Sequence, residues 1–354
     1  MREKILLNHD WRFLASPAES AIPVTKAAMY LSAKTERLKW GPGAYTHNDV
    51  PDFWDLDGEL PAERWERVDL PHDYVVYQDN DENENCALGY LHYDNAWYRK
   101  HFNMPDGSEN RRALLRFDGI AGKSTVYLNG CLMYHNFSAY NTFEIDITDY
   151  VYYDKENIIA VYVNTEGFEG WWYQGAGIYR PVRLVITEPV HGETWGVLLH
   201  PEKQTEEIGR LPGEGEIVNA GFRGALLRVE TAVFAPDGAP AAILSGEIVV
   251  PARDKATLRL FGQVHCPEIW HLDTPRLYTA RTWLYEGETL LDEVSDRFGF
   301  RTLGWSEEGF FLNGRRVELK GVCCHQDFGL TGTSVPPRVQ RYRLELMTIG
   351  RASL

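Results

Sequence analysis

One stretch of this chain concentrates groups that could do chemistry. Leu319-Lys320-Gly321-Val322-Cys323-Cys324-His325-Gln326-Asp327 reads as an apolar strand running into a polar turn that holds two adjacent thiols, an imidazole and a carboxylate. Side chains just past the carboxyl end of a buried parallel strand point into whatever pocket the sheet carries, so His325 and Asp327 are the first candidates for ligand contact. A second stretch, Trp171-Trp172-Tyr173-Gln174, offers flat aromatic faces beside an amide, with Glu166 and Glu169 just before it. None of these acids forms a pair that the sequence fixes at a catalytic separation. No Ser-His-Asp triad with a nucleophile elbow is present either.

Other polar clusters lead nowhere catalytic. The run Asp79-Asn80-Asp81-Glu82-Asn83-Glu84-Asn85 resembles half a calcium loop, but Glu84 stands where the sharp turn needs Gly, and Tyr90 where the bidentate Glu should be. It reads as a solvated loop. Five cysteines, at 86, 131, 266, 323 and 324, make no CxxC pair and no zinc spacing, and fit a reducing compartment. No metal or cofactor is expected. A formal charge of −15 argues against nucleic acid and against an anionic membrane surface. The apolar run at the start is too short for a signal peptide and no window reaches membrane-span length, so a cytoplasmic location is expected.

The elements that must position these groups are strands. Ile5 to Phe13 reads as an opening strand, followed by an irregular stretch from Ser16 to Leu60. Ala96–Phe102, Ala113–Asp118, Thr125–Leu128, Thr142–Ile147, Ile158–Val163 and Val182–Ile186 are short, alternating or fully apolar, and rich in β-branched and aromatic residues. Asn129-Gly130 predicts a tight hairpin, because both central residues of that turn need positive φ. This pattern predicts a β-sandwich. After Glu188-Pro189 a second series follows: Trp195–His200, Ala225–Phe234, Ile243–Val250, Ala256–Phe261, Leu277–Tyr285 and Phe298–Arg301. It predicts an immunoglobulin-like sandwich without the disulfide. Lys203 to Gly215 reads as an exposed loop. Phe310 to Leu319 forms a hairpin, and Val339, Tyr342, Leu346 and Ile349 share one face of a helix over 338–349.

Taken together, these residues resemble glycoside hydrolase family 2, which includes β-galactosidases, β-glucuronidases and β-mannosidases. Trp97-Tyr98-Arg99-Lys100 looks like the WYRK strand of the family's first domain, and Phe117-Asp118-Gly119-Ile120 with Val126-Tyr127-Leu128-Asn129-Gly130 is similar to its FDGV and VWVNG segments. Phe143-Glu144-Ile145-Asp146-Ile147-Thr148 is similar to PFEFDIT, and Gly175-Ala176-Gly177-Ile178-Tyr179-Arg180 matches GxGIYR. Ile269-Trp270 through Pro275-Arg276-Leu277-Tyr278 follows LWxPxxPxLY, and Phe298-Gly299-Phe300-Arg301 and the 319–327 stretch match FGFR and LKGVxxHxD. Seven such motifs occur in the family's order.

The resemblance implies a mainly β chain. A jelly-roll, galactose-binding-like sandwich over 1–188 is followed by an immunoglobulin-like sandwich over 189–302, and 303–354 begins an incomplete (β/α)8 barrel. It implies retaining hydrolysis of a β-glycoside, and Cys323 directly after Gly-Val leans toward the galactosidase type. The expected ligand is a carbohydrate, β-galactoside-like. The family's two catalytic glutamates lie on later barrel strands, and a barrel takes at least ~200 residues to close. No catalytic residue is therefore assigned, and the chain is expected to be inactive by itself. Trp171, Trp172, Tyr173, Gln174, His325 and Asp327 are the implied substrate contacts, the indoles by stacking on sugar CH faces. Arg180 is expected to pair with a carboxylate. A chain ending at 354 leaves the apolar groups from Leu319 onward uncovered, so residues past about 330 are expected to be disordered, repacked or held in a contact between copies. The alternative is a stand-alone carbohydrate-binding or accessory module.

Overall fold

The computed structural model describes residues 1–16, 42–45, 65–165, 167, 170, 172–203 and 207–352, the side chains of 16, 203 and 348–352 excepted. Two compact units result. One comprises Lys4–Glu109, Ala113–Val185 and Cys324–Leu354; the other comprises Met1–Glu3, Asn110–Arg112 and Ile186–Cys323.

The first unit is built on ten strands: β1 (Glu3–Leu6), β2 (Trp11–Ser16), β3 (Glu66–Val68), β4 (Asn95–Phe102), β5 (Arg112–Phe117), β6 (Lys123–Leu128), β7 (Cys131–Asn136), β8 (Phe143–Asp146), β9 (Asn157–Asn164) and β10 (Val182–Thr187). They form a six-stranded sheet in the order β3-β2-β4-β9-β6-β7 and a four-stranded sheet in the order β1-β10-β5-β8. Strands β4 and β9 are central and almost wholly buried, β9 as its continuous apolar run requires and β4 with Asn95 and Arg99 buried among its aromatics, whereas β5 alternates residue by residue. Asn129 (φ 51°) and Gly130 (φ 83°) make the hairpin joining β6 to β7. The Asn129 carboxamide is itself buried, donating to the Tyr150 carbonyl and the Asn157 side chain, each at 2.9 Å.

The single opening strand expected over 5–13 is instead two strands in different sheets. The break has a local cause. Asn8 turns its side-chain oxygen to the Val182 amide at 3.0 Å and its carbonyl to the Leu70 amide at 2.7 Å, and Asp10 takes φ 58°. A ladder cannot run through those three commitments.

The second unit holds β11 (Val190–Leu199), β12 (Glu202–Lys203), β13 (Ile208–Asn219), β14 (Ala225–Phe234), β15 (Pro240–Val250), β16 (Asp254–His265), β17 (Tyr278–Glu286) and β18 (Thr289–Phe298). Strands β11, β13 and β12, with β16 on β13, face a sheet in the order β15-β14-β17-β18 across one core. That core includes Leu211 and Ile217 from one sheet, and Leu227, Val229 and Val233 from the other. Strand β13 corrects the expected loop over 203–215. Its buried positions are Gly209, Leu211, Gly213, Gly215 and Ile217, so the period of two is present but written partly in glycine. A Cβ at Gly209 would lie 2.6 Å from the Phe300 ring, and one at Gly213 would lie 2.8 Å from Leu199. The glycines make room for those larger side chains. Strand β18 was also absent from the expected pattern, because Asp292, Glu293, Asp296 and Arg297 mask its alternation.

A three-stranded sheet completes this unit: β19 (Leu303–Ser306), β20 (Gly309–Leu312) and β21 (Arg315–Val317), with the β20–β21 turn at Asn313 (φ 51°) and Gly314 (φ 74°). Beyond it, Leu319–Val322 is not the expected strand. No described strand lies beside it to supply ladder hydrogen bonds, and Leu319 and Val322 are 67% and 75% exposed. In the first unit, helix α1 (Pro337–Ala352) starts on a proline, the residue best suited to a first helical position. Its Tyr342, Leu344 and Leu346 stay exposed rather than repacked.

The N-terminal residues are clipped to the second unit by a buried ion pair. Arg2 makes a bidentate contact with Asp292 at 2.8 and 3.2 Å, both side chains being almost fully buried, and Asp292 also accepts the Gly192 amide at 3.0 Å. Replacing Asp292 by Ala strands a buried guanidinium and should cost about 3–5 kcal/mol in urea unfolding. The double substitution Arg2→Met with Asp292→Leu should recover most of that loss; equal instability of single and double variants would contradict the pairing.

Candidate functional site

The densest polar arrangement near the predicted contacts centres on a residue that the motif reading did not single out. Asp73 is 2% exposed. It follows the cis peptide bond Leu70-Pro71 and ends a segment pinned by two backbone bonds, His72 N to the Ile178 carbonyl at 2.9 Å and Tyr74 N to the Ala176 carbonyl at 3.2 Å. Its Oδ1 accepts the amides of Val75 (3.2 Å) and Ala176 (3.1 Å). Its Oδ2 accepts the Tyr173 hydroxyl (2.8 Å), the Thr333 amide (2.7 Å) and the Thr333 hydroxyl (2.9 Å). A buried carboxylate is tolerated only with such a set of donors.

Three segments distant in sequence are thereby tied together within the first unit. Glycines make the approach possible: a Cβ at Gly175 (φ 66°) would sit 2.4 Å from Asp73 Oδ2, and one at Gly332 (φ 54°) 2.1 Å from it. The turn that delivers Thr333 is closed by Phe328 N to the Gly332 carbonyl at 2.9 Å and by Gly332 N to the Phe328 carbonyl at 3.0 Å. Helix α1 braces the preceding residues, Arg343 donating to the carbonyls of Asp327 (3.2 Å) and His325 (3.4 Å).

Of the predicted contacts, Trp172 and His325 meet, with ring centroids 6.3 Å apart and planes at 55°. Gly170 leaves space for the indole, since a Cβ there would lie 2.0 Å from it. Tyr173 turns inward to Asp73, and burial together with that carboxylate's charge pushes its phenol well above the usual range. Asp327 lies close enough to raise both Tyr173 and Tyr93 electrostatically. Gln174 is half-buried beside them. Trp171, Glu166 and Glu169 lie outside the described residues. Arg180 lays its guanidinium 5.3 Å over the Tyr179 ring, and the expected carboxylate pair is not found among the described residues.

Tyr93 and Thr333 were missed along with Asp73. The Tyr93 hydroxyl is buried without a hydrogen-bond partner among the described residues, beside the amides of Gln174 and Gly175, and burial lifts its pKa to about 12. The signal that could have revealed Asp73 is its position after Pro71-His72: an acid set in an apolar, aromatic run must be paired. Chemically the site offers a hydroxyl, an indole face, an imidazole, a carboxamide and a carboxylate, a set suited to sugar hydroxyls and CH faces. Among the described residues no cluster of three His, Cys, Asp or Glu could hold a metal ion.

Residues 85–189 match the family model for the sugar binding domain of glycosyl hydrolases family 2, and residues 197–301 match a second model of the same family. The chain belongs to glycoside hydrolase family 2. It is 32% identical over 302 residues to a putative beta-glucuronidase of Formosa agariphila, covering 84% of this chain and 28% of that protein. It is also 32% identical over 301 residues to a beta-galactosidase of Bacteroides ovatus, covering 84% of this chain and 34% of that one. A crystal structure of a beta-glycosidase from Bacteroides vulgatus superposes with a TM-score of 0.81 at 27% identity, over 98% of this chain and 40% of that chain. The chain thus spans well under half the length of these family 2 relatives.

Two measurements test the site. Asp73→Ala leaves five donors facing an empty space and should cost at least ~3 kcal/mol in urea unfolding, whereas Thr333→Ser, which keeps the hydroxyl, should cost under ~1 kcal/mol. Similar small losses for both would deny Asp73 its central place. The second concerns pH. His72, buried against Phe13 and bonded through Nδ1 to the Tyr98 hydroxyl at 2.8 Å, has its pKa lowered by desolvation from 6.5 to about 4. The unfolded chain therefore binds the extra proton first, and stability falls as pH drops from 6.5 toward 4, by about 3 kcal/mol. His72→Gln should flatten that part of the stability profile.

Proposed function

We propose that this chain supplies the sugar-binding and immunoglobulin-like domains of a retaining β-glycosidase that hydrolyses the O-glycosidic bond of a β-galactoside or β-glucuronide. Trp172, Gln174, His325 and Asp327, joined by the Tyr93 hydroxyl, form one wall of its sugar site. Trp171, next to Trp172 in sequence, is proposed as a further contact on residue type alone. The observation that carries this reading is the Asp73 carboxylate, which fastens the aromatic loop through Tyr173 and the 325–333 segment through Thr333 to one point. Sugar hydroxyls are recognised by short polar groups held rigid in this way. The names of the relatives support both sugars, and Cys323 favours the galactoside.

Retaining hydrolysis needs two carboxyl groups ~5–5.5 Å apart, one of them free to act as nucleophile. Asp73 has both oxygens committed, so its role is to hold the wall and not to attack. Binding without turnover is the activity expected of the chain alone. Five free thiols support a reducing, cytoplasmic setting.

Calorimetric titration with methyl β-galactoside should show binding with Kd of about 1 mM, weakened at least ~tenfold in Trp172→Ala and in His325→Ala. Undetectable binding, or binding untouched by both substitutions, would sink the proposal. The purified chain should not hydrolyse aryl β-galactosides or β-glucuronides; turnover abolished by Asp327→Asn would show catalysis within the chain.

The exposed apolar groups Leu319, Val322, Leu330 and Leu344 also support association of copies through this segment, since water-facing clusters of this kind are sticky. Sedimentation should show dimers or larger species that dissociate in Val322→Asp with Leu344→Lys. A strictly monomeric unmodified chain would remove this idea.

A further inference from the structure

The second unit contains a cleft of about 580 Å³ that shares no residue with the Asp73 site. Its size falls in the ~300–1,000 Å³ range of small-molecule pockets. Apolar surface comes from Leu199, Trp270 and Leu277, and positive charge from Arg297, Arg301 and His200 when protonated. We propose that this cleft is a saccharide site in its own right, and that it takes a sugar ring bearing a carboxylate.

The walls are set before any ligand arrives. Trp270 is held by its amide on the Phe300 carbonyl and by the Asn313 carboxamide on its own carbonyl, each at 2.9 Å. Gly299 is required beside it, since a Cβ there would meet the Trp270 Cβ at 2.9 Å. Phe298 is locked in a cluster with Tyr278 (5.6 Å) and Phe300 (5.7 Å). Arg301 lies 5.2 Å over the Trp270 ring, which fixes its guanidinium while leaving its N–H groups free to donate.

Charge argues for an anion. Neither Arg297 nor Arg301 has an ion-pair partner among the described residues, although the chain's formal charge is −15. Glu202 is the one carboxylate in the lining. Two unpaired guanidiniums in a concave, partly apolar setting focus a positive potential. Their planar forks suit a carboxylate, bidentate and in plane, while the Trp270 and Leu277 faces suit the CH surface of a pyranose.

The test compares methyl β-glucuronide with methyl β-glucoside, which differ only in carrying a carboxylate or a hydroxymethyl group. The readout is the indole N–H resonance of Trp270, assigned with Trp270→Phe, in the full chain and in Trp172→Ala so that the loop site is silenced. The glucuronide should shift this resonance saturably in both backgrounds, at least ~tenfold more tightly than the glucoside, and Arg297→Gln or Arg301→Gln should erase the difference. Equal affinity for the two sugars, no shift with either, displacement by inorganic phosphate at the same concentration, or loss of the response in Trp172→Ala would each overturn it. The sugar comparison on the unmodified chain decides the matter even if an arginine variant fails to fold. Failure here leaves the Trp172 site standing, because that site is read by its own substitutions.

Discussion

A buried carboxylate that must be satisfied organises the candidate site. Asp73, at 2% exposure, is met by five donors, and those donors come from residues 75, 173, 176 and 333. Each donor is therefore a constraint on a loop. The stretch after β9 cannot drift from the 71–75 segment without uncovering a charge, and neither can the turn after Phe328. Because these tethers are short and polar, their strength depends on geometry more than on area, so a shift of an ångström costs nearly the whole bond. Trp172 and His325 are brought within contact, their rings tilted at 55°, beside this fastening.

The second unit solves a related problem differently. Asp292, at 1% exposure, takes a full counter-charge from Arg2 as well as the amides of Gly192 and Glu293, so its charged partner is a residue at the far end of the chain. Asp73 relies on neutral dipoles instead, amides and hydroxyls, most of them from segments distant in sequence. An ion pair of this kind ties down a terminus, whereas a ring of neutral donors ties several loops to one another.

Legibility in the sequence followed physical simplicity. Central strand β9 was readable because both faces are buried and its residues are almost all apolar, and β4 because of its aromatic residues Trp97, Tyr98 and Phe102; the Asn129-Gly130 turn was readable because few residues tolerate its φ values. Strand β13 was not, because its inward positions carry glycine where Phe300 and Leu199 need space, and that need is visible only once the partners are in place. The same holds for the site. Trp172, Tyr173, His325 and Asp327 stood out by type and by likeness to the family's motifs, but Asp73 acts through contacts across 100 and 260 residues of sequence separation, which no spacing rule encodes. The expected strand over 319–322 failed for a related reason, since a strand exists only by virtue of neighbours that pair with it.

The division of labour among the carboxyl groups follows from how their oxygens are used. A nucleophilic carboxylate needs at least one oxygen free to approach an anomeric carbon, and a general acid must hold a proton that it can release. Asp73 does not suit either role, since donors already cover both of its oxygens. Asp327 differs: its backbone carbonyl is held by Arg343 while its side chain is left to act at short range on Tyr93 and Tyr173. Among the described residues the Asp327 carboxylate has no hydrogen-bond donor of its own, so the fixed backbone and the open side chain are separate features of one residue. The buried charge of Asp73 thus goes into rigidity, while the polar groups around it keep capacity to donate and accept.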